Sequence, residues 1–111
     1  VNNTIKMVIE DGINHLVAIA HGTAESKGWW ESERNDGELI ALMHSELSEA
    51  LEALRLCGTD QQRKDQVTHE LADCIVRICD YAGARKLNLG KMLIKVLETN
   101  QVRPYRHNKL F

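Results

Sequence analysis

Apolar positions along this chain recur at intervals of three and four, the spacing of one face of an α-helix. Ile5, Val8, Ile9, Ile13, Leu16, Val17 and Ala20 carry that spacing through the first segment. They predict a helix from Asn3 or Thr4, either one a suitable cap, to about Glu25, with Gly12 tolerated inside it. Lys27-Gly28-Trp29-Trp30 closes the segment, and a polar loop follows from Glu31 to Asp36. Asp36 is placed to cap a second helix reaching about Leu56, whose apolar stripe is Met43, Leu47, Leu51 and Leu54. Cys57-Gly58-Thr59-Asp60 reads as a stop, with Gly58 suited to a left-handed position. A third helix begins between Asp60 and Asp65 and runs to about Arg85, on a stripe of Val67, Leu71, Cys74, Ile75 and Ile78. Asn88 caps a fourth through Asn100, and Pro104 excludes much further helix, leaving a basic tail over about 101–111. Four helices with short connections predict a single all-α, bundle-like domain over 1–111.

Composition supports that class and narrows the partners. Hydrophobic content of 43% is ordinary, but aromatics are only 5% and there is one proline, which favours helices over sheet. A net charge of −2 gives no general affinity for nucleic acid or acidic membranes. The three cysteines are an odd number without a C-x-x-C, and Cys74 and Cys79 fall inside a predicted helix. They read as small buried residues, so a cytoplasmic, reducing setting is expected. No segment reads as a signal peptide or membrane span.

The charges that matter lie on the second and third helices. Glu46-Leu47-Ser48-Glu49 and Glu70-Leu71-Ala72-Asp73 each place two carboxylates three residues apart, hence on one helix face. Both pairs sit at the same offset from an apolar stripe. Packing the helices stripe to stripe would gather Glu46, Glu49, Glu70 and Asp73, and four partly buried acids need counter-charge. Ligation by oxygen alone selects Mg²⁺, with Mn²⁺ as a substitute, over zinc. The alternative is two solvated acidic faces. A di-iron carboxylate bundle wants Glu-x-x-His on two helices, and no such motif occurs here. A helical dimerisation module needs no metal, but it leaves the matched offsets and adjacent tryptophans unexplained.

With these residues in view, the chain resembles the MazG-like nucleoside triphosphate pyrophosphohydrolases of the all-α NTP pyrophosphatase superfamily. The superfamily pattern E-x-x-E then E-x-x-D is similar to Glu46, Glu49, Glu70 and Asp73, within His44-Ser45-Glu46-Leu47-Ser48-Glu49-Ala50-Leu51-Glu52. Lys27-Gly28-Trp29-Trp30 resembles the family's Lys-Gly-aromatic-Trp. The tail from Asn100 through Arg103-Pro104-Tyr105-Arg106-His107-Asn108-Lys109 resembles Asn-x-x-Arg-Pro-Tyr-x-His-Gly-Lys, with Asn108 in place of glycine. The resemblance covers roughly residues 21–111. It implies an all-α fold, Mg²⁺ dependence, a homodimer or dimer of dimers, and hydrolysis of a nucleoside triphosphate to monophosphate and pyrophosphate. Phosphoribosyl-ATP hydrolysis is the rival within the superfamily.

The residues divide the expected chemistry between them. Phosphoryl and nucleotidyl transfer needs charge neutralisation and a positioned water more than covalent help. Glu49 is the candidate for orienting or deprotonating that water, among the four metal ligands. Arg103, Lys109 and Lys95 are candidates for the phosphates, with Asn100 donating a hydrogen bond and Lys27 a substrate contact through its motif. A solvated basic end is the plain alternative for the tail. Adjacent Trp29 and Trp30 cannot both face one core, so one packs while the other lines the cleft and stacks on a base. His21 is a candidate to hydrogen-bond base or sugar, although a lone helical histidine is commonly structural. Arg77, four residues after Asp73, reads as an ion-pair partner.

Overall fold

The computed structural model describes residues 1–56 and 58–110, with the side chains of His107 and Asn108 excepted. Cys57 of the expected stop, and those two side chains of the tail motif, therefore lie outside the described residues. The fold is all-α: α1 (Asn3–Ser26), α2 (Asp36–Arg55), α3 (Asp60–Ala84), α4 (Leu89–Val102), then one 3-10 turn, Tyr105–Asn108. Each helix begins where a polar side chain takes up a free backbone N–H. Asn2 accepts from Ile5 N at 2.9 Å, Asn35 from Glu38 N at 3.0 Å, and Asn88 from Lys91 N at 3.0 Å. Thr59 starts α3 with a reciprocal box, its hydroxyl taking Gln62 N while Gln62 Oε1 takes Thr59 N. The caps of α1 and α2 thus lie one or two residues before those the sequence suggested. Asp36 instead enters the first turn of α2 and holds Arg85 Nε at 2.7 Å.

α3 is the central helix, packed against α2 on one side and α1 on the other, while α4 packs on α1. Val17, Cys79 and Ala82 form the α1–α3 core, flanked by Ile13, Leu16, Ala20 and Leu89. The helices approach so closely there that a Cβ at Gly83 would lie 2.5 Å from His21 Cβ. Gly90 does the same for α4, where a Cβ would lie 2.5 Å from the Glu10 carbonyl oxygen. Asn14 clasps that junction, donating to Asn88 Oδ1 at 2.9 Å and accepting from Gly90 N at 3.0 Å. A Lys6–Glu98 ion pair at 2.7 Å ties the far end of α4 to α1.

One sequence expectation fails at the α2–α3 seam. The buried face of α2 is Leu39, Glu46, Ala50 and Ala53, meeting Glu70 and Cys74 of α3. Leu47, Leu51 and Leu54 are about half exposed, as are Leu71 and Ile75. Glu46 and Glu70 therefore lie inside the packed seam, and the leucines line an outer face. Ala50 and Ala53 make this possible, because small side chains let two helix backbones approach around the carboxylates.

Candidate metal centre and adjoining pocket

Burial of Glu46 and Glu70 follows from that seam. They are 6% and 7% exposed, and each has one oxygen matched and one unmatched. Arg77 Nε donates to Glu46 Oε1 at 2.8 Å across the helix pair. Gln66 Nε2 donates to Glu70 Oε1 at 2.7 Å from one turn earlier on α3. Glu46 Oε2 and Glu70 Oε2 are fully enclosed and have no hydrogen-bond partner among the described residues. Glu49 lies exposed at their edge, and one oxygen each from Glu46, Glu49 and Glu70 falls within 4.8 Å of the others.

The electrostatics separate the three carboxylates. The Arg77 hydrogen bond holds Glu46 below the ordinary carboxylate range, against burial that pushes it up. Glu49 is raised, first by the adjacent Glu70 carboxylate, which favours its protonated form, then by the negative charges of Glu46 and Glu70. Glu46, Glu49 and Glu70 are the residues that could hold a hard divalent cation, which would match the orphan oxygens. Asp73 stands at the outer end of the group, half exposed, with His69 Nε2 at 3.2 Å from its Oδ2.

Beside the acids, α1, α2 and α3 enclose a cavity of about 290 Å³. Leu16, Ile19, Leu39, Leu42 and Val76 give it apolar walls, with Lys27, Arg34 and Trp29 also in its lining. Arg77 belongs to both places, because it lines the cavity and pairs with Glu46. The pair it makes is with Glu46, across the seam, and not with Asp73 on its own helix. That choice corrects the expectation, and it puts a cation between the acids and the apolar walls.

The two tryptophans part company. Trp29 is 56% exposed and lines the cavity. Trp30 turns inward, donating its Nε1–H to Asp80 Oδ1 at 2.9 Å. His21 Nδ1 reaches the same oxygen at 2.9 Å, and its ring meets Trp30 edge-on at 5.5 Å between centroids. Arg34 and Arg85 stack over Trp30 at 5.2 and 5.6 Å, the latter anchored by Asp36. His21 is thus tied to Asp80 and Trp30 in a polar joint between α1 and α3, and it does not line the cavity that Trp29 borders. Asp80, buried and doubly hydrogen-bonded, is the residue that sequence reasoning missed. Its signal was an acid on the buried phase of α3, one residue after Cys79 and two before Ala82.

The remaining candidates stand apart from the acids within this chain. Lys95 and Asn100 lie on α4, and Arg103 and Lys109 follow it, while α4 packs on α1. None of the four lines the described cavities. Among the described residues, then, the fold joins Glu46, Glu49 and Glu70, places Asp73 one turn on, and adds Lys27 and Trp29 through the cavity. Compared with protein-family models, curated proteins and solved structures, the chain matches none.

Proposed function

We propose that this chain is a divalent-cation-dependent nucleoside triphosphate pyrophosphohydrolase, releasing monophosphate and pyrophosphate. One observation carries the reading: Glu46 and Glu70 each hold an enclosed carboxylate oxygen with no partner among the described residues, and Arg77, paired with Glu46, also lines an apolar cavity that Trp29 borders. The resemblance of the acidic and tryptophan motifs to the MazG-like family points the same way. Glu46, Glu49, Glu70 and Asp73 would hold Mg²⁺ or Mn²⁺, which supplies charge neutralisation for the triphosphate and acidifies water. Glu49 is the group assigned to take the proton of the attacking water, since it alone of the three clustered carboxylates is exposed, at the edge of the group. Arg77 fixes the Glu46 carboxylate through Nε. The cavity walls accept the base, with the exposed face of Trp29 available for stacking.

Two further properties belong to the same reading. The outward leucines of α2, with Leu71 and Ile75, form a self-association face for a homodimer or a dimer of dimers. A second protomer could then bring Lys95, Asn100, Arg103 and Lys109 to the phosphates. No described helix is long and apolar enough to cross a membrane, and Cys74 and Cys79 are free thiols, which suits a reducing cytoplasm.

The test is a panel of nucleoside triphosphates and phosphoribosyl-ATP with Mg²⁺, with products identified by ³¹P NMR. Pyrophosphate and a nucleoside monophosphate are expected, and turnover should disappear with chelator. Diphosphate plus orthophosphate, or turnover of phosphoribosyl-ATP alone, would displace this assignment. The exposed leucine face also favours a purely structural dimerisation module, for which the whole panel would be silent.

A further inference from the structure

The cavity that Trp29 borders has one carboxylate in its wall, and only half of that group is in use. Arg77, Asp80 and Tyr81 line the cavity from one face of α3. Asp80 is 9% exposed, and Trp30 Nε1 and His21 Nδ1 both reach its Oδ1 at 2.9 Å. No described residue hydrogen-bonds to its Oδ2. Unlike Glu46 Oε2 and Glu70 Oε2, that oxygen is not sealed away, so it can stand open without a cation. Neither Trp30 nor His21 lines the cavity, whereas Asp80 does. Oδ1 therefore belongs to the joint between α1 and α3, and Oδ2 is the oxygen left for the cavity. Two donors on Oδ1 hold the carboxylate in one orientation before any ligand arrives.

Among the side chains of that lining, Asp80 alone accepts hydrogen bonds and cannot donate them. Lys27, Arg34 and Arg77 only donate, and the Thr23 and Tyr81 hydroxyls do both. From Asp73 to Asp80 the helix rises about 10 Å, a length that a ribose and one base fill. We propose that Asp80 sets the base preference: its Oδ2 accepts a hydrogen bond from an exocyclic amino group, selecting cytosine and adenine over uracil and hypoxanthine. The assignment rests on the reading of this cavity as the base site given above. Each pair exchanges an amino group for a keto oxygen, which meets the same negative charge and is repelled. The ring N–H of a keto base lies beside that oxygen and brings it along. A site built to bond an N–H rejects the analogue without it, because its own acceptor then loses a partner.

The test compares kcat/KM, with Mg²⁺, for CTP against UTP and for ATP against ITP. The amino member of each pair should lead by about tenfold or more, the worth of a hydrogen bond to a charged group. In the wild-type protein, a CTP analogue with hydrogen in place of its 4-amino group should lose that lead. Asp80→Asn keeps an oxygen for Trp30 and His21 and puts an amide N–H where Oδ2 stood, so the preference should shrink or invert. A purely structural Asp80 would lower all four nucleotides alike. Equal turnover within both pairs, or an Asp80→Asn protein that keeps the wild-type ranking, overturns the role of Asp80 and leaves the hydrolase standing. Where Asp80→Asn does not fold, the 4-hydrogen analogue decides alone, and turnover equal to that of CTP overturns the proposal. No turnover of any nucleotide overturns both.

Discussion

Buried acids in this fold are handled in two ways, and both are seen on α3. Asp80 lies between α3 and α1, where Trp30 and His21 both direct nitrogens to one of its oxygens. Glu46 and Glu70 lie in the seam between α3 and α2, where each has one oxygen matched and one enclosed without a partner. The carboxylates are buried to similar degrees, from 6% to 9% exposed. Burial is therefore not what separates a structural acid from a candidate ligand. The remaining hydrogen-bonding capacity is. An unmatched acceptor costs about 1–3 kcal/mol, more if charged, and a cation that supplies the missing partner recovers that energy.

The comparison breaks most readily at Glu46 and Glu70. Changing either to Gln should lower Mg²⁺ affinity by at least about 100-fold, read by calorimetry, and abolish turnover with it. Asp80→Ala should leave Mg²⁺ affinity unchanged. It should instead destabilise the fold by about 2–4 kcal/mol, because two donors lose their acceptor, and added Mg²⁺ should not correct the deficit. Denaturant melts with and without Mg²⁺ separate the two behaviours. Arg77→Met comes next, leaving Glu46 buried and uncompensated. With Arg77 32% exposed, the cost should be about 2–3 kcal/mol, below the about 3–5 of a fully buried pair, and Mg²⁺ should restore part of it.

The smallest effect is a pH dependence with opposite signs at two neighbouring glutamates. Glu49 has a raised pKa in the folded chain, so its ionisation works against the metal-free fold. Its relative contribution is favourable below the unfolded-state value and is lost as pH rises through the folded one. Glu49→Gln should therefore raise the metal-free melting temperature at neutral pH, and the gain should vanish in acid. Glu46 has a lowered pKa, so the Arg77 pair stabilises above the ordinary carboxylate range and fails as pH falls through the folded value. Melting curves of the two Gln variants between pH 3 and 8, roughly the span over which carboxylates change charge, should diverge accordingly.

The helices were legible because one apolar face recurs over many turns in each segment. Caps were less so, since Asn2, Asn3 and Thr4, or Asn35 and Asp36, offer equivalent side chains and only backbone geometry selects among them. The spacing of Glu46, Glu49 and Glu70 announced a shared face, and the fold brings them together. What periodicity did not reveal was which part of a wide apolar arc packs. The small residues Ala50 and Ala53 set the seam and left Leu47, Leu51 and Leu54 outside. Nor could it show Arg77 choosing Glu46, 31 positions away, over Asp73 on its own helix, or Trp30 finding Asp80 50 positions on. Those are properties of helix crossings, and no local pattern encodes them.

The way α4 is attached has a consequence for the order in which the molecule assembles. Its clasp joins Asn14 to Asn88 and Gly90, separations of 74 and 76 positions, whereas the α2–α3 seam already closes over 31 at Arg77 and Glu46. Closing the longer loop in a free chain costs about 1 kcal/mol more, so the α2–α3 hairpin is the cheaper first step and α4 docks late. The same asymmetry runs in reverse in the native state, where α4 packs mainly on α1. Its amides should exchange with solvent through openings far cheaper than global unfolding, while those around Ala50 and Cys74 stay protected until the whole domain opens. The acids then reside in the unit that forms first and opens last.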